Sequence, residues 1–288
     1  MLAAVQRAYP EAKLNILANR QVAALALDAV KVSELKFLDD AEFAPFFSGG
    51  SRVRAGDYFH PDDLVISYLH DPSKVFETNV RGCGLKHFYV GPSKIAGATH
   101  AAEQLAEPLR VVHVPITDFA PRLNISQESR REAQRKLGTP AAIVVHPGSG
   151  SRRKNWPIVK WVHLISDLLS RGIRIVVVGG EADHDQIAHL GNQFGTDLSF
   201  AVDWPVRNLA ALLANRVFIG HDSGISHLAA ATGAPSIILF GPTDPKIWAP
   251  RNVNARILVA PQADLDQLSV AAARDSLYQE LMRIGIKT

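Results

Sequence analysis

The stretch Ala142-Ile143-Val144-Val145-His146-Pro147-Gly148-Ser149-Gly150-Ser151-Arg152-Arg153-Lys154-Asn155-Trp156-Pro157 decides the fold class. Ala142–His146 reads as an apolar, buried strand, and Pro147-Gly148 ends it. Pro157 suits the first turn of a helix, where its missing N–H costs nothing. Trp161, Ile165, Leu168 and Leu169 then fall on one helical face, and Gly172 supplies a stop. Ile173–Val178 is the next strand and closes at Gly179-Gly180. A strand, a loop, a helix and a second strand make a βαβ unit, which places the two strands parallel.

The same pattern repeats downstream: Val217–Gly220, a helix over about Ile225–Thr232, then Pro235–Phe240. A short strand near Arg256–Val259 and a terminal helix over about Asp264–Ile284 complete that half. Upstream the alternation is less regular, with strand candidates at Lys13–Leu17, Leu64–Tyr68 and His87–Val90. Thr117–Ile125, which holds Pro121, reads as a linker, and a charged helix follows at about Gln127–Leu137. The expectation is an α/β chain of two domains, 1–120 and 121–288. The chain opens inside a helix whose Leu2, Val5 and Tyr9 share a face. Such a helix normally connects two parallel strands. A first domain that lacks its first strand and loop is the expectation, and a fold that simply begins with a helix is the alternative.

With 288 residues, 47% hydrophobic and 20% charged, the chain has the balance of a globular protein with room for two cores. No apolar run approaches the ~18 residues of a membrane span. Arg7, Glu11 and Lys13 near the start do not read as a signal peptide. A single cysteine, Cys83, excludes an internal disulfide and a cysteine metal cluster, so a reducing cytoplasm is expected. A net charge of +3 without a basic stripe argues against a nucleic-acid partner. It suits an anionic ligand or a peripheral visit to an acidic membrane.

Four loops at strand ends carry candidate chemistry. In the opening stretch, small residues including Ser149 and Ser151 let backbone N–H groups face an anion, and Lys154 adds a full charge. The stretch is neither a Walker A loop, since Arg153 precedes the lysine, nor a dinucleotide fingerprint. An ordinary glycine-rich loop with solvated charges fits the same residues. In Gly220-His221-Asp222-Ser223-Gly224-Ile225-Ser226-His227, a strand again runs into a helix start. Asp222 and Ser223 both suit an N-cap, Gly224 leaves its N–H open, and Ser226 and His227 lie on the first turn. Asp222 as a plain cap and His227 as a satisfied, partly buried histidine are the plainer readings. Gly179-Gly180-Glu181-Ala182-Asp183 offers Asp183 to a ribose diol or as a helix cap. Thr243, in Gly241-Pro242-Thr243-Asp244-Pro245, touches a sugar or shapes the turn. Four such loops on one sheet edge argue together for a nucleotide ligand. Asp183, His184, Asp185 and His189 suit an exposed helix start better than a metal site, so neither a metal nor a cofactor is expected.

These segments in this order, from about Pro121 to the end, resemble glycosyltransferase family 9, the group of the lipopolysaccharide heptosyltransferases. The resemblance implies a GT-B architecture of two Rossmann-like domains with parallel sheets, the terminal helix returning towards the first. It implies heptose transfer from ADP-heptose to a lipid-linked saccharide acceptor, inverting and without a metal; the expected place is the cytoplasm, with peripheral contact at the inner face of the inner membrane as the further option. By position, Lys154 would neutralise the leaving diphosphate and Asp183 would hold the ribose. Asp222, Ser223 and Gly224 would bind phosphate, with Ser226 and His227 beside them. Family members open with a strand and a Gly-Asp loop whose aspartate acts as base. Gly56-Asp57 does not open a chain-initial βα unit, so the catalytic base is unassigned. A binding protein for nucleotide sugars without transfer, and a GT-B-like epimerase, are the competing readings.

Overall fold

The computed structural model describes residues 1–49, 58–138 and 141–286. The chain forms two compact units, Met1–Phe119 and Ala120–Thr288. In the first, the helix Leu2–Ala8 precedes β1 (Asn15–Ala18), which pairs in parallel with β2 (Glu34–Phe37). A second parallel pair joins β3 (Leu64–Ser67) to β4 (His87–Val90). The packing there is aromatic: Phe43, Phe46, Phe76 and Phe88 are buried around Val80 and Cys83, and Phe46 meets Phe59 edge-on at 5.3 Å. Gly56-Asp57, the dipeptide compared above with the Gly-Asp loop, lies outside the described residues.

The second unit is built on one six-stranded sheet. Its strands are β5 (Ile143–His146), β6 (Ile175–Gly179), β7 (Ser199–Val202), β8 (Val217–His221), β9 (Ser236–Phe240) and β10 (Ala255–Val259). All neighbours are parallel, in the order β10-β9-β8-β5-β6-β7. Reversed and renumbered this is 3-2-1-4-5-6, the doubly wound dinucleotide-binding order. Strands β5, β6, β8 and β9 are buried along their whole length, which is why they read as unbroken β-branched runs. The edge strands β7 and β10 are only partly covered.

Helices close the sheet on both faces. Ile158–Ser170 buries Trp161, Leu164, Ile165 and Leu168, each side chain contributing about 1.5–3 kcal/mol. It stops at Gly172, whose φ of +72° needs a residue without Cβ. The terminal helix Val270–Arg283 packs Ala273, Leu277 and Leu281 into the same core. It begins later than the expected Asp264, because Leu265–Gln267 winds as a 3-10 turn and Ser269 caps the true start. The linker is held by the second unit: Leu123 N–H donates to Ala231 O at 2.8 Å, and Asn252 Nδ2 donates to Pro121 O at 2.8 Å.

Candidate functional site

Strand order reverses between β5 and β8, because the chain runs from β5 outward through β6 and β7, then returns to β8 and runs the other way. Ligands of doubly wound folds bind in the crevice beyond the carboxyl ends at such a point. The register puts His146, last in β5, opposite Gly220 near the end of β8. The two loops richest in polar residues, 147–157 and 222–226, therefore leave the sheet side by side.

Lys154 ends a 3-10 turn, and its Nζ reaches across to the second loop. It donates to Asp222 O at 2.9 Å and pairs with Asp222 Oδ2 at 3.3 Å. Thr243 Oγ1 donates to the same Oδ2 at 2.9 Å. Three loops thus converge on one carboxylate. An ammonium has three donors, and Asp222 takes two, which leaves one for an anion. Beside it, Ser223 caps the helix Gly224–Ala231, accepting from Ser226 N at 3.4 Å. The first-turn N–H groups of Gly224 and Ile225 have no partner within a helix.

Two buried histidines hold this edge together. His221 is fully buried; its Nε2 accepts from Trp156 N–H at 2.8 Å, and its Nδ1 lies 3.0 Å from Gly148 O. A backbone N–H can only donate, so Nε2 is bare and Nδ1 carries the hydrogen. The ring is neutral: burial pushes its pKa down to about 3, against a smaller upward pull from Gly148 O. His146 Nε2 lies 3.1 Å from Asp183 Oδ2, and its Nδ1 lies 3.4 Å from Ser223 Oγ. A line of polar contacts therefore runs from Asp183 through His146 to Ser223, the cap of the helix Gly224–Ala231. Burial acts to raise the Asp183 pKa, but the hydrogen bonds from His146 and from Gly180 N–H outweigh it and leave the carboxyl below its ordinary value.

Several predicted site residues stand elsewhere than expected. Asp183 is buried, not offered to a diol; its Oδ1 lies against Gly148 and has no hydrogen-bond partner among the described residues. The exposed carboxylate of that turn is Glu181. Asp222 does not cap the helix, and a buried carboxylate would repel a phosphate; it grips Lys154 and Thr243 instead. Ser226 is fully buried, and its hydroxyl donates to His221 O, so it cannot reach a ligand. Ser149 turns inward, 2.6 Å from Asn155 Oδ1 and 2.9 Å from Ser151 O, and shapes its own loop. Ser151, Lys154, Ser223, Gly224, His227 and Thr243 keep part of their surface at this edge. His146 and His221 were not singled out in the sequence. The signal for them was a polar residue ending each of two otherwise apolar strands.

Among the described residues no group of three or more His, Cys, Asp or Glu side chains is arranged to hold a metal ion. No helix among them is long and apolar enough to cross a membrane.

The profile of glycosyltransferase family 9 (heptosyltransferase) matches residues 89–272. Lipopolysaccharide heptosyltransferase 2 of Salmonella typhimurium is 26% identical over 180 residues, covering 59% of this chain and 49% of that protein. Lipopolysaccharide heptosyltransferase 1 of Escherichia coli is 31% identical over 127 residues, 44% of this chain and 39% of the relative. The chain spans about half the length of the curated relatives it matches. In solved structures the fold recurs in a family 9 glycosyl transferase from Veillonella parvula, with a TM-score of 0.76 at 17% identity over 98% of this chain and 92% of that one. It recurs in ADP-heptose LPS heptosyltransferase II of Escherichia coli, with a TM-score of 0.76 at 17% identity over 98% and 93%. At such identities the likeness establishes the fold, which is α/β of the GT-B kind.

Proposed function

The chain belongs to glycosyltransferase family 9, and we propose that it takes an ADP-heptose donor at the carboxyl edge of the six-stranded sheet and passes the heptose to a lipid-linked saccharide of lipopolysaccharide-core type. The relatives named as lipopolysaccharide heptosyltransferases support the class of reaction. The observation that carries the reading is the meeting of Lys154, Asp222 and Thr243 beside the open first turn of Gly224–Ala231, at the strand-order reversal.

In an inverting transfer the acceptor oxygen attacks the anomeric carbon from the face opposite the diphosphate. The bond to the diphosphate breaks, and negative charge grows on the departing oxygens. Preorganised donors aimed at that charge lower the barrier. Lys154, with one donor left, and the N–H groups of Gly224 and Ile225 fill this role, and no metal is required. Asp222 holds the lysine in place, Glu181 meets the ribose diol, and residues 1–120 form the acceptor side. The reaction takes place on the cytoplasmic face of the inner membrane. No base is assigned to the acceptor hydroxyl.

Titration with ADP and transfer of radiolabelled heptose from ADP-heptose to a heptose-deficient lipopolysaccharide test this directly. Saturable ADP binding is expected, weakened at least about tenfold in Lys154→Ala, since a charge-assisted bond is worth about 1.5–3 kcal/mol. Transfer is expected to survive EDTA. Binding without product would reduce the protein to a nucleotide-sugar binder, and absence of ADP binding would remove the donor reading altogether.

A further inference from the structure

The amino edge of the same sheet carries a second positively charged hollow that the donor reading does not use. The helix Gln127–Leu137 packs against the helix Val206–Leu213, and the chain passes beneath them into β5 and β8. Between these elements lies a cavity of about 710 Å³. Among the described residues Arg130, Arg131, Arg135 and Arg216 line it against Glu128 as the one acid, so four positive groups face one negative, a net of +3.

The charge is not neutralised from within. Half-buried Arg216 donates through Nε to Ala141 O at 3.2 Å, through Nη1 to Leu212 O and through Nη2 to Gln134 Oε1. All three acceptors are uncharged. Burial lowers the Arg216 pKa from its ordinary value. Among the described residues Arg130 Nε is buried with no hydrogen-bond partner. Glu128 comes only within 3.7 Å of Arg135, with both side chains more than 70% exposed, a pairing that contributes little. Arg130 and Arg216 are partly covered while Arg131 and Arg135 stand exposed beside them, and partly desolvated guanidinium groups without a counter-charge are unfavourable unless an anion joins them. Their planar forks match phosphate oxygens two at a time.

The volume has room for more than a bare phosphate ion. A neighbouring hollow of about 460 Å³ shares Ala141 and Asn215 with the first and adds Arg174 and the 40%-exposed Ile284. Cation beside apolar surface is what the phosphate ester of an amphiphile requires. We propose that this arginine cavity is a binding site for phosphate esters, at the opposite end of the strands from the donor crevice. It does not depend on the donor reading.

The test uses the whole chain and the variant Arg130→Gln/Arg131→Gln/Arg135→Gln, with Arg7→Gln/Arg110→Gln/Arg256→Gln as a charge-matched control. Arg216 is left alone because its three bonds tie helices to strands. Cosedimentation is measured with phosphatidylglycerol and with phosphatidylcholine vesicles, and calorimetry with glycerol 3-phosphate. Wild type and control are expected to bind the anionic vesicles, and the cavity variant to bind them at least about tenfold more weakly. Its urea midpoint is expected to stay unchanged, which confirms the fold, and so is its ADP binding, which separates this site from the donor crevice. Loss of glycerol 3-phosphate binding in the cavity variant, without vesicle binding by any form, would support the site for a soluble ester in place of a lipid headgroup. If the triple change impairs folding, Arg131→Gln/Arg135→Gln, two exposed positions, must give a partial loss. No binding of either probe, or an equal loss in the control, would overturn the proposal.

Discussion

A methyl group at position 148 has nowhere to go. A Cβ built there falls 1.7 Å from Asp183 Oδ1 and 2.4 Å from its Cγ, well inside any real contact. Asp183 cannot step aside cheaply, because its other oxygen accepts from both His146 and Gly180 N–H. The carbonyl of residue 148 also accepts from His221, so a shift there loosens two histidines at once. Gly148→Ala is therefore expected to cost about 1–3 kcal/mol of stability, the usual range for overpacking. It should also weaken ADP binding, since His146 touches the Ser223 cap. Urea unfolding and ADP titration of the variant check both. Unchanged stability would show that Asp183 is not fixed in its place.

Among the elements, the terminal helix shows how a surface pair ties one segment to another. Tyr278 hydroxyl donates to Asp167 on the helix Ile158–Ser170, while Arg171 lies over the tyrosine ring at 5.0 Å. Tyr278→Phe keeps the ring and removes one hydrogen bond to a charged acceptor, so a loss of about 1.5–3 kcal/mol is expected in urea unfolding. The tie was not legible in the sequence, because 111 residues separate its ends. Strands β5, β6, β8 and β9 were legible, because strands buried on both faces are written as unbroken apolar runs. β7 and β2 were not: Ser199–Val202 is a four-residue edge strand, and Glu34–Phe37 alternates charge with apolar side chains. In the candidate site the loops were readable from their glycines and small polar residues. The direction each side chain takes was not: Asp183 is turned inward by His146 on β5, 37 residues away, and Ser226 by the carbonyl of His221, a contact that the chain's path from strand to helix sets and residue type does not.

Across the whole molecule, three buried or tethered groups of the second unit set the pH range of its stability. His221 is held neutral with a pKa of about 3, against 6.5 when unfolded. Between those values the unfolded chain binds a proton that the folded one refuses, so stability falls as pH drops from 6.5 towards 3. Asp183 acts in the same direction further down: its folded pKa lies below 3.8, and its contribution is lost as pH falls through that lower value. Tyr278 governs the other end. Burial first, and then its bond to Asp167, raise its pKa to about 12, so its contribution holds below pH 10 and is lost as pH rises towards 12. A plateau from about pH 7 to pH 9 follows, with separate causes for its two shoulders. Urea midpoints measured from pH 4.5 to 9 should be flat above 7 and decline below 6.5. His221→Gln can still accept from Trp156 N–H and donate to Gly148 O, but it takes up no proton. Its midpoint should therefore fall less steeply with acid than that of the wild type, so that the difference between them narrows as pH drops. Parallel acid slopes in the two proteins would mean that another of the 11 histidines, and not His221, carries the low-pH shoulder.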